Sequence, residues 1–267
     1  MANTVLIGQY VETHSLFHRL DPRTKLIGIF VILLSFLLLE SLLSYVFATV
    51  FVAGLLILSK IPAHVVWRGL KPILFILSFT FIYHVIFTKG TVIWSWSFFE
   101  LTQEGLYNGI RFVWRIVLLV LLASVLTLTT KPLTLAHGLE KLLSPLSKLN
   151  VPVEQFSLMI VIAIRFIPTI QQELDRILLA QKARGFDIPS LSLPKRVMSY
   201  IPILVPLLFT TIQRAEQLTY AIDARAYGNG RGRIRFKQQE LRRIDYQVWG
   251  IAILIALIPL LLKIAGI

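Results

Sequence analysis

The sequence predicts an all-α integral membrane protein, and three observations predict it. Only 15% of the 267 residues are charged while 56% are hydrophobic, with a mean hydropathy of +0.74; a soluble domain carries about 25% charged residues. Apolar runs approaching or reaching the roughly 17 to 25 residues that span a bilayer recur along the chain. The connections between those runs alternate between basic and non-basic. Together they give about five transmembrane helices plus a cytoplasmic module of amphipathic helices.

Residues Met1 to Arg23 are mixed and polar, without the apolar run and small-residue cleavage site of a signal peptide, so the first apolar run is read as a retained anchor. That run, Leu26 to Leu58, would rise about 50 Å as one helix, against a hydrocarbon thickness of about 30 Å. It is read as two short spans with a tight turn around Glu40-Ser41, one long tilted helix being the alternative. The third span is Pro72 to Thr88, the fourth Gly105 to Thr130 and the last Tyr246 to Ile264. This divides the chain into an N-terminal membrane region with four spans (1–130), a cytoplasmic or interfacial module (131–244) and a C-terminal transmembrane helix (245–267).

Charge orients the spans. Arg19, Arg23 and Lys25 precede the first, Glu40 lies in the first turn, and Lys60, Arg68 and Lys71 fill the second connection. Lys89, Glu100 and Glu104 mark the third connection. The segment 131–244 holds more than half of the chain's 27 Lys and Arg, and only Lys263 lies near the C-terminus. Basic loops stay in the cytoplasm, so the N-terminus is expected inside and the C-terminus outside. The net charge of +13 is thereby placed against anionic lipid or an acidic partner, and nucleic acid is not expected as a partner. With no cysteine, disulfides and thiolate metal sites are excluded.

The segment 131–244 is too long for a structureless loop. In Thr134 to Leu149, residues Leu135, Leu139, Leu142, Leu143 and Leu146 share one helical face. Val153 to Ile167 is apolar apart from Arg165. Pro168 is read as opening a further helix that runs to Arg184 and stops at Gly185. Pro194 opens another, containing the apolar Ile201 to Phe209 and ending at Arg225-Ala226-Tyr227-Gly228.

Two of these helix ends match each other. Ala180-Gln-Lys-Ala183-Arg184-Gly185-Phe186 and Ala221-Ile-Asp-Ala224-Arg225-Ala226-Tyr227 share Ala-x-x-Ala-Arg-small-aromatic, 41 residues apart. Small residues admit a second backbone, and an arginine on a final turn projects past the helix end, where its fork bonds carboxylates or carbonyls. The simpler role of such a cation is to complement the helix macrodipole, worth about 0.3–1 kcal/mol. Repetition favours a partner contact over capping.

With these motifs the sequence resembles the transmembrane T component (EcfT family) of energy-coupling factor transporters. Further agreement lies in Gly8-Gln9-Tyr10, in Ser15-Leu16-Phe17-His18-Arg19-Leu20-Asp21-Pro22-Arg23-Thr24-Lys25-Leu26, and in Arg165-Phe166-Ile167-Pro168-Thr169 followed by Glu173. The resemblance covers nearly the whole chain, least distinctively from Lys89 to Glu104. It implies a coupling subunit of a multi-component importer for vitamins or other micronutrients, in a bacterial or archaeal cell membrane. Two cytoplasmic ATPase subunits and a small substrate-binding membrane subunit would be its partners, with ATP and magnesium held in the ATPases. The coupling helices would dock into the ATPases through Arg184 and Arg225, with Ala183, Gly185, Ala224 and Ala226 as close-packing flanks. One departure is Ala226, where a glycine is common: alanine is small enough for contact, but its backbone takes a positive φ less readily.

Other constellations are weaker. No Gly-x-x-x-x-Gly-Lys-Ser/Thr string occurs, so the chain is expected to be non-catalytic, with its ATP-driven motor elsewhere. His14 and His18 have metal-pair spacing without a clustered third ligand, and Tyr83-His84 lacks an acidic relay. Arg111 and Arg115 share a face of the fourth span; the deeper Arg115 is read as a structural ion pair and not a transport site, its partner not identifiable from sequence, with Glu104 and Glu40 the carboxylates on the outer side. Gly105-x-x-x-Gly109 marks a close helix approach. Arg231, Arg233, Arg235, Lys237, Arg242 and Arg243 are read as a topology and lipid anchor. The alternative reading, a self-contained secondary transporter, would call for internal repeats around a midplane site; the clear repeat here is the motif pair. A membrane-embedded enzyme has no catalytic constellation to support it.

Overall fold

The computed structural model describes residues 10, 11, 13, 15–96, 99–149, 151–185, 198, 200–226 and 241–264. In chain order the elements are α1 (Leu16–Arg19), α2 (Pro22–Leu37), α3 (Leu42–Ser59), α4 (Ala63–Phe87), β1 (Val92–Trp96), β2 (Phe99–Thr102), α5 (Gln103–Thr129), α6 (Pro132–Leu143), a 3₁₀ turn (Ser144–Leu149), α7 (Val153–Ala183), α8 (Ile201–Ala224) and α9 (Arg243–Ile264). They fall into two compact units, one of residues 1–153 with 239–267 and one of residues 154–238. The chain is an all-α membrane protein, with one two-stranded ribbon among the described residues.

Helix ends in the first unit follow from local chemistry. Asp21 caps α2 by accepting from the Arg23 N–H at 2.9 Å, with Pro22 at the first helical position. Ser41 caps α3 through the Ser44 N–H at 3.1 Å, and Lys60 closes it in the left-handed region at φ 53°. Thr102 caps α5 by accepting from the Gly105 N–H at 3.1 Å while donating to the Thr88 carbonyl at 2.7 Å. The turn expected at Glu40-Ser41 is present, so the long apolar run is two helices.

α2 is the centre of this unit. Its Ile29, Ile32 and Phe36, with Leu39 just beyond, form the core with Ala48 and Val52 of α3, Leu118 and Leu122 of α5, and Ala252 of α9. α2 and α9 run parallel, because Asp21 meets Asp245 at one end, Ser35 donates to the Ala256 carbonyl at 2.7 Å further along, and Glu40 meets Lys263 at the other end. α4 and α5 are antiparallel and close. A Cβ on Gly105 would lie 2.9 Å from the His84 carbonyl oxygen, and one on Gly109 3.0 Å from the Phe81 ring. The close approach expected of that Gly-x-x-x-Gly pair is therefore real, and its partner is α4.

Among the described residues, five helices are long and apolar enough to cross a membrane: α3, α4, α5, α7 and α9. The sequence reading had α2 in place of α7. α2 has only 16 residues, about 24 Å of rise, yet with its turn it reaches alongside α9 from Asp21–Asp245 to Glu40–Lys263. Whatever thickness α9 crosses, α2 and its turn cross too. The end of α5 and the start of α9 also share one end of the unit: the Lys25 Nζ donates to the Thr129 carbonyl at 3.2 Å and to Thr130 Oγ1 at 3.1 Å, one turn from Asp21.

Two expected helix starts are corrected. Pro72 lies inside α4, which begins at Ala63 and takes in Arg68 and Lys71. Pro168 lies inside the single 31-residue α7. A buried or membrane helix tolerates an interior proline where neighbouring groups satisfy the freed carbonyl. The least distinctive stretch contains the β1–β2 ribbon, with Trp94 opposite Leu101, Ser95 opposite Glu100, and a bulge between Val92 and Trp94.

Candidate functional site

The two matching motifs form the ends of α7 and α8. α7 ends at Ala183. The Arg184 N–H donates to the Ala180 and Gln181 carbonyls at 3.2 and 3.1 Å, and the Gly185 N–H donates to the Lys182 carbonyl at 3.0 Å. α8 ends at Ala224, the Arg225 N–H donates to the Ile222 carbonyl at 3.2 Å, and the Ala226 N–H donates to the Asp223 carbonyl at 2.8 Å. Gly185 sits at φ 81° and Ala226 at φ 52°. Both helices thus stop with the same turn: arginine, then a small residue in the left-handed region that satisfies an otherwise orphan carbonyl.

Ala226 adopts the positive φ that alanine takes less readily than glycine. The glycine alternative would relieve strain of about 1 kcal/mol. Ala226→Gly is accordingly expected to slow amide exchange at the end of α8, and Ala226→Val to speed it. Gly185 has no atom within 4 Å of a would-be Cβ, so conformation and not crowding is what favours glycine there.

Both sites are open. Ala180, Ala183, Arg184 and Gly185 are exposed, and so are Ala221, Ala224, Arg225 and Ala226. Neither guanidinium makes a hydrogen bond or ion pair among the described residues. Each therefore presents a full fork of donors beside a small-residue surface, which suits a partner offering carboxylates or carbonyls. Phe186 and Tyr227, the aromatic members of the motifs, lie outside the described residues. So do Pro194, Gly8-Gln9 and the basic positions Arg231, Arg233, Arg235 and Lys237.

The remaining candidates make contacts within the first unit. His18 donates from Nε2 to the Val11 carbonyl at 3.1 Å and shares a hydrogen bond between Nδ1 and Ser15 Oγ at 2.7 Å, with its ring edge-on to Tyr10; His14 lies outside the described residues. The His84 ring packs on Phe112 of α5, centroids 5.2 Å apart. Arg115 does not pair with a carboxylate as expected. Its Nε donates to the Tyr45 hydroxyl at 3.2 Å and its Nη2 to the Leu39 carbonyl, so it closes the turn that ends α2. Glu40 is taken instead by Lys263, whose hydrogen bond at 2.7 Å holds that carboxyl below its ordinary pKa. The Arg111 guanidinium lies 4.9 Å over the Tyr107 ring and 5.9 Å from that of Tyr45.

One pair was missed by sequence reasoning. Arg214 of α8 donates to Glu173 of α7 at 3.1 Å. Its signal was the offset of 41 residues, the same as that between the motifs, hidden because the two positions carry opposite charges.

The sequence is similar to that of known proteins. The family described as cobalt transport protein (CbiQ) matches residues 13–235. Among curated relatives, the energy-coupling factor transporter transmembrane protein EcfT of Ruminiclostridium cellulolyticum is 43% identical over 95% of each chain. That of Bacillus subtilis is 42% identical over 89% of this chain and 90% of its own. That of Limosilactobacillus fermentum is 38% identical over 97% of each.

Proposed function

Because the chain belongs to the energy-coupling factor transporter transmembrane (EcfT) family, we propose that it links ATP hydrolysis by two cytoplasmic ATPases to movement of a small substrate-capturing membrane subunit. As a T component it is a transmembrane part of a multi-subunit transporter. The cargo is a vitamin or other micronutrient delivered by the capturing subunit. Unit 154–238 faces the cytoplasm, and Arg184 and Arg225 each enter a groove of one ATPase, with Ala183, Gly185, Ala224 and Ala226 allowing close approach.

The observation that carries this reading is the pair of matching helix ends, each exposing an arginine beside small residues. Two like ends suit two like partners. ATP and magnesium belong to those partners, and this chain contributes docking and mechanical linkage. The purified chain alone is expected neither to hydrolyse ATP nor to bind it. Equilibrium dialysis with labelled ATP tests this, and saturable one-to-one binding would contradict the division of labour.

A further inference from the structure

Glu173 and Arg214 form the ion pair that joins α7 to α8, with Nη2 to Oε2 at 3.1 Å. Arg176 stands 3.7 Å from the same oxygen and adds to the positive surroundings of Glu173. The pair spans 41 residues, and Arg184 and Arg225 are separated by the same 41. Each partner therefore lies eleven residues before the arginine of its own helix end, three turns or about 16 Å along the helix.

Where two repeats are related by a two-fold, corresponding positions touch each other on its axis, as in an isologous interface. The contact between Glu173 and Arg214 joins α7 and α8 at equivalent points of the motif repeat, each eleven residues from its arginine, so the two arms are of equal length. Both arms finish in the same left-handed turn. A strict repeat would have placed like charges on this axis, where they repel. Arginine in the second copy converts repulsion into a charge-assisted hydrogen bond.

We propose that Glu173 and Arg214 are positioning residues, a pivot that holds the two arginine ends at the spacing needed to engage both ATPases at once. This rests on the docking reading above. The matching partner is a two-fold pair of like subunits, because equal arms present their ends symmetrically. Loss of the pair leaves each end intact but lets their separation drift, so docking of one ATPase survives better than docking of two.

The test uses the full chain with its partners in membranes, measuring uptake and the amount of both ATPases that co-purify. Glu173→Arg alone and Arg214→Glu alone are each expected to lower uptake at least tenfold while the chain still inserts. The double exchange, Glu173→Arg with Arg214→Glu, is expected to restore at least half of it. A general structural role does not give restoration by reversed charge. Because the chain has no cysteine, Glu173→Cys/Arg214→Cys is also expected to cross-link within one chain through a short bis-maleimide. Wild-type uptake in both single variants, a double exchange no better than the worse single, or no cross-link would overturn the pivot. If pivot variants behave normally while Arg184→Ala/Arg225→Ala fails, the pivot alone is wrong. If the reverse holds, with uptake restored by the exchange, the docking reading is wrong and the pivot as stated falls with it.

Discussion

Replacing both Arg184 and Arg225 by alanine is expected to abolish ATPase association and uptake without preventing membrane insertion. In the free chain both guanidiniums are exposed, so their removal does little to the fold. In the complex each enters a groove, and truncating one partner of a buried charged hydrogen bond costs about 2–5 kcal/mol. Even the lower figure weakens docking about thirtyfold per site. Each single alanine variant is expected to show a partial loss, and lysine at either position a partial rescue, since a point charge lacks the planar fork. If the arginines merely cap their helices, the effect is below about 1 kcal/mol and assembly is normal. Co-purification with the ATPases and uptake in cells separate these outcomes. Wild-type association in the double variant would remove these residues from the account.

Asp245→Ala is expected to cause the largest loss of stability. Asp245 is 3% exposed, and its carboxylate serves two helices at once. One oxygen accepts from the Asp21 N–H at 3.1 Å, at the start of α2, and the other from the Arg242 N–H at 2.8 Å, just before α9. Asp245 thus completes a reciprocal cap on α9 and places a negative charge at two parallel helix N-termini. Alanine orphans both donors. At about 1–3 kcal/mol for each unsatisfied group, the loss is about 3 kcal/mol. The apparent Tm of the detergent-solubilised chain should fall by several degrees, and Asp245→Asn, which keeps one acceptor oxygen, should fall by roughly half as much. An unchanged Tm for Asp245→Ala would show that the two N–H groups find other partners.

Much of the fold was legible because lipid leaves few choices. A run from Leu26 to Leu58 is too long for one crossing, and the turn is found where Glu40-Ser41 interrupts it. The prolines misled. Pro72 and Pro168 would open or end a helix in water, whereas here they sit inside α4 and α7. The partner of Arg115 was not legible, because the Leu39 carbonyl becomes an acceptor only once the turn after α2 has formed. The ribbon at Val92–Thr102 is too short and aromatic for periodicity to separate from an irregular loop.

The helix-end motifs were legible as chemistry, and their geometry was half legible. Glycine at position 185 announced its left-handed turn, whereas alanine at 226 concealed an equivalent one. Glu173 and Arg214 were invisible to a search for likeness because they are opposites, and only their contact between α7 and α8 shows that they correspond. Asp245 was hidden for another reason: its importance lies in backbone N–H groups, which no side-chain pattern records.

The most direct measurement is purification of the chain from its native membranes, followed by reconstitution into liposomes. Two ATPase subunits and one small hydrophobic membrane protein should accompany it in fixed proportion, and uptake should require ATP and all of them together. A chain that purifies alone and, by itself, moves solute into liposomes without ATP would contradict the account.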